Sequence, residues 1–476
     1  MGILGGVMVP HPPLIIPEIG KGEEKEIAST VEAYEEAMRF VASLQPETVI
    51  VSSPHTIMYR DFFHISPGRT ASGDFRRFRA PAVRVKVTYD EELAEGICAL
   101  CDRESFPAGF EGERDAALDH GTMIPLWFLK KYMPDVKVIR IGLSGYPLSM
   151  HYHLGEIVQK AADETGRRVA WIASGDLSHK LKEDGPYGLA PEGPRYDERI
   201  MDVMGEGNFE ELLNFSDSFL EAAAECGHRS FTMMAGAFDG LAVEPRQLSH
   251  EGTFGVGYGV CTYQVTGEDP TRHFLKAWQD ERKKALLEKR AREDIFIRIA
   301  RKSLETYVEN GRYLPFSKVR AMIEEEANDV EREELLTRRT GCFVSIHKEG
   351  SLRGCIGTIA PVRSCVAEEI LRNAVSAAVR DPRFPEITSD ELPYLEISVD
   401  VLGPTEKIDS PDWLDVKRYG VVVTKGQRRG LLLPNLEGVD TVEQQIAIAA
   451  QKAGLDTDEE DYSLERFEVV RHEAGK

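Results

Sequence analysis

Short apolar segments alternate with segments of helical periodicity through the first half of the chain. The helical pattern is clearest over residues 23–44, where apolar side chains recur every three or four positions. The apolar segments that we interpret as buried strands are residues 3–9, 48–52, 136–143 and 169–173. Strands separated by helices predict an α/β domain whose mostly parallel sheet is flanked by helices on both faces.

The pattern changes near residue 265. A turn-forming cluster at residues 267–270 is followed by charged helical sequence over residues 273–307, and then by two hairpin patterns, a further strand and two helices. A chain of 476 residues is also too long for one compact core. We therefore predict an α/β domain over residues 1–266 and an α+β domain over residues 275–476.

The charge balance limits the classes of partner. The chain has 58 Lys and Arg against 80 Asp and Glu, a formal net charge of −22. Such an acidic chain repels phosphate backbones and anionic lipid, which disfavours nucleic-acid and membrane binding. The odd number of cysteines, seven, and a first segment unlike a signal peptide lead us to expect a cytoplasmic protein.

Three of the predicted strands each run into a histidine. These residues are His11, His55 and, five residues after Ser174, His179. Ligands of open α/β sheets bind outside the carboxyl ends of the strands, so the three imidazoles can converge at one edge. Imidazole is a common metal ligand and the usual acid–base group at neutral pH, and each histidine can alternatively cap its strand.

Two further residues near these histidines have two interpretations each. His120 follows Asp119 at the start of an apolar helical segment, so this pair either caps the helix or contributes to catalysis. Asp176 lies three residues before His179 and either orients that imidazole or forms a turn.

A third metal ligand has three candidates. Glu225 would complete the two-histidine, one-carboxylate set that leaves positions of Fe(II) open for substrate and dioxygen. Its neighbour Cys226 would instead favour zinc or copper, because a thiolate is a soft ligand. Glu251 is the reserve candidate.

The second domain has one candidate cleft. Arg353 and Cys355 lie on the same face of a predicted strand, and Arg383 lies in a nearby loop sequence. An adjacent arginine can activate a free cysteine, whereas the alternative is a structural cysteine between glycines that permit close backbone packing.

Motifs over residues 1 to about 265 resemble the class III extradiol dioxygenase superfamily, including its Memo-like branch. They are GGVMVPHPPLIIPEIGKGEE, VSSPH, LDHGTMIPLWFL, SGDLSH and AECGHRS with HEGTFGVGY. From about residue 275 the chain resembles the AMMECR domain through LRGCIGTI, DPRFPEIT, ELPYLEISVDVL and GLLLPN. The fusion is similar to the AmmeMemoRadiSam family, which is associated with a radical SAM protein.

This resemblance implies roles for the candidate residues. His11 and His55 match the histidines that bind non-haem Fe(II), and His179 matches the acid–base histidine. The third ligand of the dioxygenases is a glutamate, which would be Glu225 or Glu251, whereas the Memo-like branch has a cysteine that matches Cys226. His120 would line the substrate pocket.

Three functions follow as hypotheses. The first is an Fe(II)-dependent dioxygenase-like protein acting on a catechol-like or related small aromatic substrate. The second is a non-catalytic metal-binding partner of a radical SAM enzyme. The third is a zinc-dependent hydrolase, which needs an activated water at an open coordination position.

Overall fold

The computed structural model describes residues 2–112, 117–436, 438–455 and 461–475. The chain forms two compact units, residues 1–279 and 280–476. Within the described residues, no helix is long and apolar enough to cross a membrane.

The first unit is built on one large sheet. Its strands are β1 (Ile3–Val9), β2 (Thr48–Ser53), β3 (Phe63–His64), β4 (Thr70–Phe75), β5 (Ala80–Tyr89), β6 (Ala108–Gly109), β7 (Lys137–Gly142), β8 (Val169–Ser174), β9 (Leu241–Glu251) and β10 (Tyr258–Glu268). Eight of them pair in the order β4-β5-β7-β2-β8-β1-β10-β9, and β3 pairs with β6 separately. The five strands from β5 to β1 are parallel, and the strands outside them are antiparallel.

Helices cover both faces of this sheet. They are α1 (Pro17–Gly20), α2 (Ala28–Ser43), α3 (Glu91–Glu104), α4 (His120–Leu129), α5 (Leu148–Thr165), α6 (Glu192–Glu206), α7 (Asp217–Ala223), α8 (His228–Gly236) and α9 (Phe274–Arg290), the last of which contains the division between the units. Trp171 and Ile172 are adjacent in β8 and both are fully buried, yet they belong to different apolar clusters. Because successive side chains of a strand point to opposite faces, the sheet has an apolar core on each side.

Within its described residues, the second unit contains five helices after α9 and two four-stranded antiparallel sheets. The helices are α10 (Ile295–Asn310), α11 (Phe316–Glu326), α12 (Asp329–Leu336), α13 (Val366–Val379) and α14 (Val442–Lys452). One sheet has the order β12-β11-β13-β18 and the other β14-β17-β15-β16. Their strands are β11 (Cys342–Lys348), β12 (Ser351–Gly357), β13 (Leu395–Leu402), β14 (Glu406–Ile408), β15 (Gly420–Lys425), β16 (Arg428–Leu432), β17 (Ser463–Phe467) and β18 (Val469–Glu473).

The predicted fold class is confirmed for both parts of the chain. Strand β1 has the predicted bounds, and β2 and β8 each extend one residue beyond the prediction. The predicted helix over residues 23–44 begins as a 3-10 turn, Glu23–Ile27, before α2. The charged sequence over residues 273–307 forms two helices, α9 and α10.

Candidate metal centre

His11 and His55 meet at the carboxyl-end edge of the large sheet. Strand β8 lies between β1 and β2 and is parallel to both, so the two Pro-His segments leave the sheet on either side of its central strand. The Nε2 atoms of the two imidazoles are 2.9 Å apart. His11 is buried, with 1% of its surface exposed, whereas His55 is exposed.

Hydrogen bonds determine which nitrogen of His11 faces His55. Ser174 at the end of β8 donates its hydroxyl proton to the Gly121 carbonyl at 2.6 Å, so its Oγ accepts from His11 Nδ1 at 3.0 Å. The Nε2 of His11 therefore carries a lone pair toward His55. Burial, followed by the neighbouring His55, lowers the pKa of His11 well below its usual value, which keeps the ring neutral and able to ligate a cation.

Cys226 supplies a third potential ligand. Its Sγ lies 3.7 Å from His11 Nε2, and the ligand atoms of Cys226, His11 and His55 are all within 4.8 Å of one another. Burial, with Asp176 and Glu225 nearby, raises the pKa of the thiol well above its usual value. A bound cation would favour the thiolate, because a cysteine must lose its proton to ligate a metal.

The loop that carries Cys226 is fixed against the end of β8. The amides of Cys226 and Gly227 donate to the Asp176 carbonyl at 3.4 and 3.1 Å, and the Asp176 amide donates to Cys226 Sγ at 3.3 Å. Gly175 allows this close approach, since a Cβ there would lie 2.1 Å from the Cα of Gly227.

Asp176 and His179 lie close to Cys226. Asp176 Oδ1 accepts from the His11 amide at 2.7 Å, and its Oδ2 is 3.9 Å from His11 Nε2 and 4.0 Å from His179 Nε2. His179 Nδ1 donates to the Ala224 carbonyl at 2.6 Å, which leaves its Nε2 on the side of the carboxylate. Asp176, His179 and Cys226 form a second group with ligand atoms within 4.8 Å.

His120 lies beside the ligand cluster. Its ring stacks on His55 with centroids 4.1 Å apart and is 5.4 Å from the ring of His11. Burial, with the nearby His11 and His55, lowers the pKa of His120 to about 3, so the ring is neutral at neutral pH. Asp119 does cap α4, because its Oδ1 accepts from the Thr122 amide at 2.9 Å.

The two candidate glutamates have other partners. Glu225 Oε2 accepts from the His228 amide at 2.6 Å, at the start of α8, and burial raises its pKa to about 7. Glu251 Oε2 accepts from the amide and the hydroxyl of Thr30 at 2.7 and 2.5 Å. Among the described residues, the groups of close ligand atoms contain Cys226 and neither glutamate. The geometry therefore favours Cys226 as the third ligand.

The two separations that involve His11 fit a single cation. With bonds of about 2.1 Å to nitrogen and 2.3 Å to sulfur, two nitrogens at a right angle lie about 3.0 Å apart, and a nitrogen and a sulfur at a tetrahedral angle lie about 3.6 Å apart. The observed distances are 2.9 Å for His11 and His55 and 3.7 Å for His11 and Cys226. These three side chains can hold one metal ion.

The candidate cleft of the second unit contains two ion-pair systems. The guanidinium of Arg353 donates to Glu391 through Nε at 3.1 Å and Nη2 at 2.9 Å. Asp381 accepts from the Cys355 amide at 2.9 Å and from Arg383 Nε at 2.9 Å. Cys355 and Arg383 thus share Asp381, and the proposed role of the cleft stays a prediction.

The glycine that precedes Cys355, Gly354, allows close packing. Gly354 faces α13, where a Cβ would lie 2.2 Å from the Ala377 carbonyl oxygen. The opposite face of β12 carries Cys355, whose Sγ accepts from Ser345 Oγ at 3.2 Å. Close backbone packing therefore accounts for the glycine of this motif.

Comparisons with known proteins give one family match in each half of the chain. Residues 5–261 match the family described as the catalytic LigB subunit of aromatic ring-opening dioxygenase, and residues 297–472 match AMMECR1. A Clostridium acetobutylicum protein is 40% identical over 479 residues, covering 99% of each chain. A Thermotoga maritima protein is 45% identical over 178 residues, covering 37% of this chain and 96% of its own. A crystal structure of a Pyrococcus horikoshii protein covers 37% of this chain and 88% of that chain, with 31% identity and a TM-score of 0.32.

Replacing Ser174 tests the orientation of His11. Ser174→Ala removes the acceptor of His11 Nδ1, and we expect the affinity for Zn²⁺ to fall by roughly 10–100-fold, as measured by competition with a chromophoric chelator. Ser230→Ala is the control, because Ser230 is also buried but bonds Ser52 instead of a ligand. Equal affinities of the two variants would contradict the assigned role of Ser174.

Removal of Arg353 tests the ion pair in the second unit. Both partners are mostly buried, so Arg353→Ala should lower the free energy of unfolding at pH 7 by about 1–3 kcal/mol. Burial acts to raise the pKa of Glu391, but Arg353 and Lys348 outweigh it and lower this pKa to about 2. The stabilisation is therefore present above the unfolded-state pKa of about 4.3 and is lost as the pH falls toward 2.

Urea unfolding of the wild type and the variant at pH 7 and pH 3 measures this effect. The difference in stability should be smaller at pH 3. Arg363→Ala, at an exposed arginine, is the control and should change the stability by less than about 0.5 kcal/mol. A difference between wild type and Arg353→Ala that does not depend on pH would contradict the assignment.

Proposed function

The chain belongs to the LigB family of aromatic ring-opening dioxygenase subunits, with an AMMECR1 domain following, and we propose that it is an Fe(II)-dependent dioxygenase-like enzyme that acts on a catechol-like aromatic substrate. The convergence of His11, His55 and Cys226 at one edge of the sheet supports a metal centre, and the family match is what favours iron as the metal. The ligand atoms of these three side chains lie close enough together to share a proton or a cation. The family match favours the cation.

Fe(II) would have a specific role in this chemistry. When bound, Fe(II) supplies open coordination positions for a vicinal diol and dioxygen. The protein must then orient the diol and move its protons, and both tasks fall to the side chains around the ligands.

His179 is the residue that we assign to proton transfer. Its Nδ1 is committed to the Ala224 carbonyl, so Nε2 is free to accept a proton from a substrate hydroxyl and to return one to the product. Asp176 Oδ2, 4.0 Å from Nε2, stabilises the imidazolium form during the transfer. His120, stacked on His55, forms one wall of the substrate pocket.

Cys226 supports a second candidate function. A thiolate in a ligand set with two histidines is typical of zinc, and a three-ligand zinc site with an open position can activate a water molecule. In that case the chain is a zinc-dependent hydrolase that uses the same residues. The metal carried by the protein distinguishes the two functions.

Metal analysis of anaerobically purified protein is the direct test of this choice. About one iron per chain supports the dioxygenase-like function, and about one zinc per chain supports the hydrolase. The His11→Ala variant should lose the metal in either case. A chain that carries neither metal and does not take up either from solution would contradict both functions.

Replacement of His179 separates catalysis from metal binding. We expect His179→Asn to retain its metal and to lower kcat for oxygen consumption with catechol or 3,4-dihydroxybenzoate by roughly 10²–10⁴-fold, because the proton acceptor is lost. His153→Asn is the control, since His153 bonds Glu156 on the surface of α5. Wild-type kcat in His179→Asn would contradict the assigned role.

A further inference from the structure

A cavity of about 340 Å³ lies within the second unit, and the candidate metal centre uses none of the residues that line it. The last turns of α9 contribute to its wall, together with the start of β13 and the end of β18. Arg301 of α10 and His347 of β11 also line it. A cavity of this size suits a small organic molecule.

Part of the cavity wall lies outside both family matches. The matches cover residues 5–261 and 297–472, whereas Leu286, Lys289, Arg290 and Glu293 lie between them. The first three of these residues belong to α9. The cavity therefore depends on the sequence that joins the two matched regions.

Arg301 has a paired side and an unpaired side to its guanidinium. Its Nε donates to Glu293 Oε2 at 2.9 Å, and its Nη2 donates to Glu293 Oε1 at 2.5 Å and to the Leu395 carbonyl at 3.1 Å. Arg301 is only 9% exposed, and its Nη1 is buried with no hydrogen-bond partner among the described residues. A guanidinium can bind anions along more than one edge, so Nη1 is available to a second anion.

Arg290 is a neighbour of Arg301 in the cavity wall. Its Nη2 donates to the Leu392 carbonyl, and its buried Nε has no hydrogen-bond partner in the described parts of the chain. Burial, followed by the neighbouring Arg301, lowers the pKa of Arg290. Within the described residues, the carboxylate in ion-pair contact with these two arginines is Glu293, which binds Arg301. One positive charge and two buried donors are thus left without a partner, which costs free energy until an anion binds.

The other charged groups of the cavity are paired or exposed. Lys289 Nζ lies 2.6 Å from Glu396 Oε2, and Arg471 Nε lies 2.8 Å from Asp400 Oδ1. Glu473 is exposed. The unmatched charge of the cavity is therefore the positive charge of the two neighbouring arginines.

Aliphatic side chains complete the cavity. Leu286, Leu395 and Ile397 line it and are all buried. Charged donors beside aliphatic side chains suit a ligand that has an anionic head and an apolar body.

We propose that this cavity binds a small aliphatic monocarboxylate, whose carboxylate accepts from the guanidiniums of Arg290 and Arg301 while its chain lies against Leu286, Leu395 and Ile397. A monoanion matches the single uncompensated charge, and a planar carboxylate matches the planar guanidinium. A phosphate dianion would exceed that charge beside an apolar wall, so it is disfavoured. The site goes beyond the proposed metal chemistry and does not depend on it.

Ligand-detected NMR titrations of the full-length protein at pH 7 test the head group and the chain of the ligand. The probes are hexanoate, its neutral amide hexanamide and the shorter acid butyrate, with inorganic phosphate as a competitor. We expect hexanoate to bind about tenfold more tightly than hexanamide, because only the acid is charged. It should also bind roughly tenfold more tightly than butyrate, which lacks two CH₂ groups. Equal binding of hexanamide and hexanoate, or displacement of hexanoate by less phosphate than butyrate, would overturn the proposal.

Replacement of Arg290 assigns the binding to this cavity. Arg290→Gln should lower the affinity for hexanoate by about tenfold and leave that for hexanamide within about twofold of wild type. The control is Arg292→Gln, because Arg292 is an exposed arginine two residues further along that does not line the cavity. It should bind hexanoate as the wild type does. Equal affinities of the two variants for hexanoate would contradict the assignment.

A second substitution and two further measurements exclude other causes of a change. Arg301→Lys retains a charge beside Glu293 but lacks Nη1, and it should also lose the preference for hexanoate over hexanamide. Thermal unfolding is measured for each variant, and Arg290→Gln, which breaks no ion pair of the described residues, remains decisive if Arg301→Lys does not fold. Metal content is measured on the same samples, because hexanoate bound to a metal would bind equally to Arg290→Gln and Arg292→Gln. A preference for hexanoate that survives in both cavity variants would overturn the proposal.

Discussion

The parallel pairing of β2, β8 and β1 is the constraint on which the candidate site depends. The register aligns Val9 of β1 with Ser174 of β8, and β1 and β2 both run parallel to β8. The segments that follow these three strands therefore leave the sheet at the same edge. Each segment then places a functional side chain within a few residues of its strand. A rigid sheet positions these groups more accurately than mobile loops would, and metal ligands need that accuracy.

Clustering histidines has an electrostatic cost that is smaller when their rings are neutral. Burial lowers the pKa of His11, His55 and His120, and Ser174 and Ala224 accept the Nδ1 protons of His11 and His179. The lone pairs of the other nitrogens then face the cluster. The close approach that would make protonated rings repel one another allows neutral rings to bind the same cation.

Much of the fold follows from local patterns, whereas parts of the site depend on tertiary packing. The apolar strands and the histidines after them predict the sheet and the edge at which they meet. The choice between Glu225 and Cys226 as third metal ligand cannot be predicted from these patterns. It depends on an irregular loop that begins at Ala224, which has a φ of 53°.

X-ray absorption spectroscopy at the edge of the bound metal tests the central claim most directly, since it reports the ligand atoms themselves. A cation held by His11, His55 and Cys226 predicts one sulfur at about 2.3 Å together with nitrogen neighbours at about 2.1 Å. The sulfur contribution should disappear in Cys226→Ser and the nitrogen contribution should decrease in His55→Ala. A first shell of oxygen and nitrogen alone in the wild type, or a spectrum that neither substitution changes, would contradict the account.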